Sequence, residues 1–276
     1  MSDYVEKKFA ATAIEMNYAE GPDNGPALVL IHGLSGHWAQ WETVIDQFST
    51  SWHVYAIDLR GHGDSGRVPG DYQWDKYAIE VIEFLNSVVK QPAFVIGHSM
   101  GGVTAGVVCA AAPGLVTAAA LEDPPLYTNE WFTESTFAPS FQAALDIRNK
   151  NLGVKDTAIE IRKIDDVSSD EQVVMRAFSI TKTDPNVWAT VIEGREVGSL
   201  SADDILSSIT TPVLLLQGSP DMGGALRDVE ATRAIDLLDN GRHVKWEDVG
   251  HMMHMAEPER FVQLVNAFFR QVLRKG

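Results

Sequence analysis

The sequence predicts an α/β protein: a doubly wound, mostly parallel β-sheet with a helical cap inserted between core strands. Three observations carry this prediction. Apolar runs recur along the chain, each followed by turn residues, as strands buried on both faces require. Segments with apolar residues every three or four positions lie between them, which is the period of a helix. After Leu121 the alternation stops, and roughly ninety residues pass before the next convincing strand, too many for a simple connection.

In order along the chain, Ala27 to Ile31 is an unbroken apolar run and reads as the first buried strand, with Trp52 to Ile57 as the next. Tyr77 to Val89 has helical spacing. Ala93 to Ile96 is a strand that runs into the glycine-rich stretch Gly97 to Gly102, and a helix of small residues follows, Val103 to Ala112. Val116 to Leu121 is the strand before the insertion. Phe141 to Arg148 and Glu171 to Phe178 read as helices of a cap over the carboxyl edge of the sheet. Val213 to Leu216 and His243 to Trp246 resume the strands, and Pro258 to Leu273 closes the chain as an amphipathic helix. We therefore expect a core from residues 1–124 and 207–276 and a cap from residues 125–206. No internal repeat or Gly/Ser linker marks a second independent domain.

With 38 acidic against 22 basic residues the formal net charge is -16, a surface that repels phosphate backbones and anionic membrane faces. A small molecule is the expected partner, nucleic acid and membrane are not, and association into a homodimer is left open. The single cysteine, Cys109, excludes an internal disulfide and a multi-thiolate metal site and reads as a small core hydrophobe. The start, MSDYVEKKF, has charges where a signal peptide needs an apolar core, and no stretch approaches the length of a membrane span. A cytoplasmic enzyme without a cofactor or metal is the expectation.

The chemistry concentrates at Gly97-His98-Ser99-Met100-Gly101. A serine at the apex of a tight strand-to-helix turn sits in a strained backbone conformation, and glycines two before and two after avoid clashes with neighbouring backbone. The turn lifts Oγ above the sheet at the positive end of the next helix. A plain glycine turn would show the same five residues; the strand before and the helix after are what the nucleophile reading requires.

Ser99 stands in a series: His32-Gly33 after an early strand, Asp58 to Ser65 after the next, the turn at Ser99, an acid, then Gly250-His251 near the end. In these motifs and their order the chain resembles the α/β-hydrolase-fold serine hydrolases over nearly its whole length. The resemblance implies an acyl-serine mechanism, with Ser99 as nucleophile and His251 as the base that a weak serine nucleophile needs. His254, three residues on, competes for that role and reads more plainly as a supporting residue. Metal binding by His-x-x-His lacks a third ligand. The acid must accept a hydrogen bond from the other histidine nitrogen. Asp221 is preferred for it because the family most often carries the acid after the corresponding strand. Asp123, after the preceding strand, is the alternative, and Glu122 a more distant third. Gly-Ser-Pro-Asp-Met-Gly-Gly around Asp221 departs from the commoner form of that motif.

The oxyanion needs backbone N–H donors. Met100 follows the nucleophile and supplies one, and the resemblance implies Leu34 as the other. His32 is expected to hold the oxyanion loop by side-chain bonds, and the Asp58 to Ser65 loop to be structural. Trp38, Trp131 and Met252 are the candidate substrate contacts of an apolar pocket. Hydrolysis of a carboxylic ester or a lactone is the leading expectation. Hydrolysis of a carbon–carbon bond in an anionic ring-cleavage product is the alternative and makes Arg148 and Arg162 of the cap the basic residues to inspect. A perhydrolase would use the same triad. A ligand receptor on the same fold is the reading from a different class. Serine at the turn argues against aspartate-nucleophile dehalogenases and epoxide hydrolases.

Overall fold

The computed structural model describes residues 4–130, 132–135 and 137–275. Eight strands form one sheet: β1 (Val5–Ala10), β2 (Glu15–Glu20), β3 (Ala27–Ile31), β4 (His53–Ile57), β5 (Ala93–His98), β6 (Val116–Glu122), β7 (Val213–Gly218) and β8 (Gly241–Trp246). Their spatial order is β1-β2-β4-β3-β5-β6-β7-β8, with β1–β2 and β2–β4 antiparallel and every other pair parallel. β4 lies on one side of β3 and β5 on the other. The chain direction across the sheet thus reverses at β3, and a crevice opens at the carboxyl ends of β3 and β5.

The helices of the first half are α1 (Ile45–Ser49), α2 (Trp74–Phe84), continued by a π-helical turn at Leu85–Val89, and α3 (Met100–Ala111). Between β6 and β7 the chain forms α4 (Phe137–Asn149), α5 (Val154–Arg162), α6 (Asp170–Lys182), α7 (Pro185–Ile192) and α8 (Ala202–Ser207). The last part adds α9 (Asp228–Leu237), α10 (Met253–Ala256) and α11 (Pro258–Leu273). Alternate side chains of each central strand enter opposite cores, the consequence of a two-residue repeat. Val29 and Ile31 pack with α2, α3, α8 and α9, while Leu28 and Leu30 pack with α1 and α11. A third cluster, with Ile147, Ile161, Val173, Ile180 and Trp188, lies within the helices between β6 and β7. Among the described residues no helix is long and apolar enough to cross a membrane. Cys109 is fully buried, and burial pushes its thiol up to about 12.

The sheet carries an antiparallel hairpin, β1 and β2, that was not expected from the sequence. β1 is an edge strand exposed along nearly its whole length, so no apolar run announces it.

Gly97 and Gly101 show why the turn after β5 is built as it is. A Cβ on Gly97 would stand 2.1 Å from the Gly101 carbonyl oxygen, and one on Gly101 would stand 2.2 Å from that of Ile31 at the end of β3. Neither contact is with a side chain that could swing away. Gly101→Ala should therefore destabilise the fold by about 1–3 kcal/mol in urea unfolding, as overpacking does. Gly114→Ala, where a Cβ would meet nothing within 4 Å, should change it by less than about 1 kcal/mol and in the stabilising direction.

Candidate active site

Ser99 has φ 54° and ψ -121°, a conformation that a non-glycine residue holds only when its surroundings impose it. The surroundings are specific. Its N–H donates to the Glu122 carbonyl at 2.8 Å across to β6, and its own carbonyl accepts from Gly102 at 2.8 Å as α3 begins. Met100 is the first residue of α3, so its N–H has no intrahelical acceptor. Gly33 packs on the turn from the other side: a Cβ there would lie 3.0 Å from Ser99 Cβ and 2.8 Å from His98 Nδ1. The loop after β3 and the serine can approach only because that position carries no side chain. Leu34, Ser99, Met100 and His251 line one cleft.

His32 holds this loop, as expected. Its Nδ1–H donates to the Gly33 carbonyl at 2.7 Å and its Nε2 accepts from Leu59 N–H at 3.0 Å. Complete burial pushes its pKa down to about 4, so it is neutral. Asp58 accepts from Trp38 N–H, Asn17 Nδ2 and Asp64 N–H, which ties the loops after β3 and β4 together.

His251 Nδ1 bonds Asp123 Oδ2 at 2.6 Å. Asp123 is fully buried, follows β6 directly with φ 45°, and also accepts backbone N–H bonds from Gly218 (3.0 Å), Ala225 (2.6 Å) and Leu226 (3.3 Å). Asp221, the preferred sequence candidate, makes no bond to His251: it is exposed on the short turn Pro220–Met222. The physical reason lies in the loop after β7. That loop folds back with its backbone N–H groups, rather than its own carboxylate, facing the histidine side, and Asp123 fills the nest they make. Ser99 Oγ makes no hydrogen bond to His251 in the structure, although both face the same cleft. Such contacts often close only around substrate.

Two further histidines fix the loop that carries His251. His98 Nε2–H donates to the His251 carbonyl at 3.1 Å, while its Nδ1 accepts from Gln40 Nε2 at 3.0 Å. Burial beside the rings of His251 and His254 holds His98 well below the ordinary imidazole range. His254 is fully buried on Glu122, which takes both its backbone N–H and its Nδ1 at 2.9 Å. Glu122 and Asp123 are consecutive, and each holds one histidine of the His251-Met-Met-His254 segment. Glu122 thus pairs with His254, and not with His251.

The cleft contains about 620 Å³ of empty space, part of it open to solvent. Its walls are chiefly apolar and include six aromatic rings: Phe132, Phe137 and Phe141 from the β6–β7 segment, and Tyr72, Trp74 and Tyr77 at and before α2. Of the residues expected to touch substrate, Trp38 and Met252 do not line it. Trp38 packs against the core beside α1, and Met252 caps α10. Trp131 lies outside the described residues. Arg148 is engaged with Thr183 and Asn151, and Arg162 with Ser168 and Asp170, so neither reaches the cleft.

One lining residue had no signal in the sequence. Glu196, in the loop after α7, is 4% exposed and both its carboxylate oxygens are buried without a hydrogen-bond partner among the described residues. Desolvation pushes its pKa up to about 7.

Fold and site together define a hydrolase of the α/β class. Residues 28–264 match the model of the Alpha/beta hydrolase family, and the chain belongs to it. It is 25% identical over 249 residues to the (E)-2-((N-methylformamido)methylene)succinate hydrolase of Acinetobacter baylyi, covering 88% of this chain and 90% of that one. It is 22% identical over 269 residues to 3-oxoadipate enol-lactonase 1 of the same organism, covering 91% of each. The crystal structure of the enol-lactonase from Burkholderia xenovorans superposes with a TM-score of 0.75 at 19% identity, over 96% of this chain and 100% of that one.

Because its folded pKa lies above the ordinary 4.5, Glu196 keeps in the folded chain a proton that the unfolded chain has released. The neutral acid's contribution to stability is complete below pH 4.5 and is lost as pH rises to about 7. Between those limits the wild type should lose on the order of 2 kcal/mol of unfolding free energy relative to Glu196→Gln. Urea unfolding of both proteins across that range checks this, and parallel curves would contradict it.

Proposed function

We propose that the protein hydrolyses carboxylic esters, lactones among them, through an acyl-Ser99 intermediate, with His251 as the general base and Asp123 as the acid that orients it. The observation that carries this reading is the carboxylate–histidine pair, Asp123 Oδ2 to His251 Nδ1 at 2.6 Å, set in the same cleft as a serine on a strained turn. With Nδ1 committed to Asp123, Nε2 is the nitrogen left to take the Ser99 proton.

In the first half-reaction Ser99 Oγ attacks the ester carbonyl carbon and its proton passes to His251 Nε2. The charge on the carbonyl oxygen is met by the Leu34 and Met100 N–H groups. Collapse breaks the carbon–oxygen bond, and the leaving alkoxide takes the proton from His251. In the second half-reaction His251 removes a proton from water, hydroxide attacks the acyl-Ser99 carbonyl, and Ser99 leaves with that proton as the carboxylic acid is released. In a lactone the leaving hydroxyl stays attached and the product is one hydroxy acid. Asp123 keeps its hydrogen bond to Nδ1 throughout and stabilises the imidazolium.

The choice of ester or lactone over a carbon–carbon bond rests on the cleft walls. An anionic ring-cleavage product would need a basic partner, and among the described lining residues there is no lysine or arginine. The enol-lactonase relative supports the ester and lactone side. Both the succinate hydrolase and the oxoadipate enol-lactonase have carboxylates in their names, and neither match carries a preference for an anionic substrate to a cleft without a basic residue.

Burst-phase assays on p-nitrophenyl butyrate and a lactone panel test the assignment. Ser99→Ala should abolish the burst and lower kcat by about 10³-fold or more, and Asp123→Asn should lower it by about 10³–10⁴-fold. Asp221→Asn should stay within about twofold of wild type, as an exposed carboxylate outside the site would. A collapse in Asp221→Asn with Asp123→Asn active would overturn the assignment.

A further inference from the structure

Glu196 poses a problem that the acyl-serine mechanism does not use. Its carboxyl group is nine-tenths buried, lines the cleft that holds Ser99, and has no protein partner for either oxygen among the described residues. Burying such a group without a partner is unfavourable, and a site retains it when a ligand supplies the missing bonds.

The surroundings indicate which ligand. Tyr72, Trp74 and Tyr77 line the same cleft, with the Tyr72 and Tyr77 rings stacked at 6.4 Å between centroids. The Trp74 N–H donates to the Glu196 carbonyl at 2.9 Å, which fixes the loop bearing Glu196 against the start of α2. Aromatic rings and one carboxyl group lining the same cleft form the combination that attracts an organic cation, through the ring quadrupoles and through charge pairing, and a cation bound beside the carboxyl group favours its ionised form. The net charge of -16 raises the local concentration of cations at the entrance.

We propose that Glu196, with Tyr72, Trp74 and Tyr77, forms a subsite for a protonated or quaternary amine carried by the substrate of Ser99. The proposal deepens the ester-hydrolase reading and rests on it for the bond that is cut, but the subsite itself can be measured by binding alone. Glu196 is then a specificity residue. It holds one end of the substrate while the carbonyl lies at Ser99, and it takes no part in proton transfer.

The test compares acetylcholine with its uncharged isostere 3,3-dimethylbutyl acetate, which share shape and acyl group. In the wild type kcat/KM for the cation should exceed that for the isostere by about tenfold, carried by KM, and in Glu196→Gln the ratio should fall to about one. A wild-type ratio at or below one, or a ratio unchanged in Glu196→Gln, overturns the proposal. A melting curve of Glu196→Gln at or above that of the wild type verifies that the variant is folded.

Should neither ester nor p-nitrophenyl butyrate turn over, the hydrolase reading fails by itself and the subsite is decided by titration. Tetramethylammonium chloride, against sodium chloride at equal ionic strength, should change the tryptophan fluorescence of Ser99→Ala saturably. The change should be absent when Glu196→Gln is added to Ser99→Ala. No saturable change in Ser99→Ala, or one that survives Glu196→Gln, overturns the subsite.

Discussion

The carboxylate of Asp123 is where three strand ends meet. It sits at the end of β6, accepts N–H bonds from Gly218 at the end of β7 and from Ala225 and Leu226 in the loop beyond, and holds Nδ1 of His251 from the loop after β8. A fully buried carboxylate is tolerable only when its oxygens are satisfied, so the loop after β7 and the segment carrying His251 are fixed by the same requirement. The adjacent Glu122 repeats the arrangement with His254, and its carbonyl accepts the N–H of Ser99. Two consecutive acidic residues at one strand end thus hold both the turn at Ser99 and the histidine segment, and the relation between Ser99 and His251 is set by β6.

On the other side of Ser99 the constraint is steric rather than electrostatic. Gly33, Gly97 and Gly101 occupy places where a Cβ would collide with neighbouring backbone or with His98 and Ser99. Their absence of side chain lets the end of β3, the end of β5 and the start of α3 crowd around the serine, and brings Leu34 and Met100 to the same cleft. The neutral histidines His32 and His98 serve as spacers with two hydrogen-bonding ends: burial keeps them uncharged, and each spans two loops. Mostly apolar walls then complete the cleft, in contrast to the acidic exterior.

Much of this was legible in the sequence, for physical reasons that differ by element. The central strands are buried on both faces and therefore read as unbroken apolar runs, and the turn at Ser99 needs glycines at fixed spacing. β1 is an exposed edge strand without such a pattern, and β2, although buried from Met16 to Ala19, is interrupted by Asn17 and so shows no unbroken apolar run. Position along the chain favours Asp221 as the partner of His251, and the hydrogen bond is to Asp123. Asp123 and Asp221 both follow strands that end beside each other, and the buried one is Asp123, held by N–H groups of Gly218, Ala225 and Leu226 that no sequence pattern announces. The unusual residues around Asp221 were the available signal. Trp38 and Met252 are near the motifs in the chain, yet neither lines the cleft. Glu196, a lone glutamate in a loop far from every motif, had nothing to mark it.

The central claim is that the strained serine is a nucleophile activated from within this site. Reaction of the folded wild-type protein with a fluorophosphonate, followed by intact mass and peptide mapping, tests it most directly. One adduct per chain, on the peptide containing Ser99 and lost when the protein is unfolded before exposure, is the predicted result. No adduct on the folded chain, or an adduct confined to another residue, would contradict it.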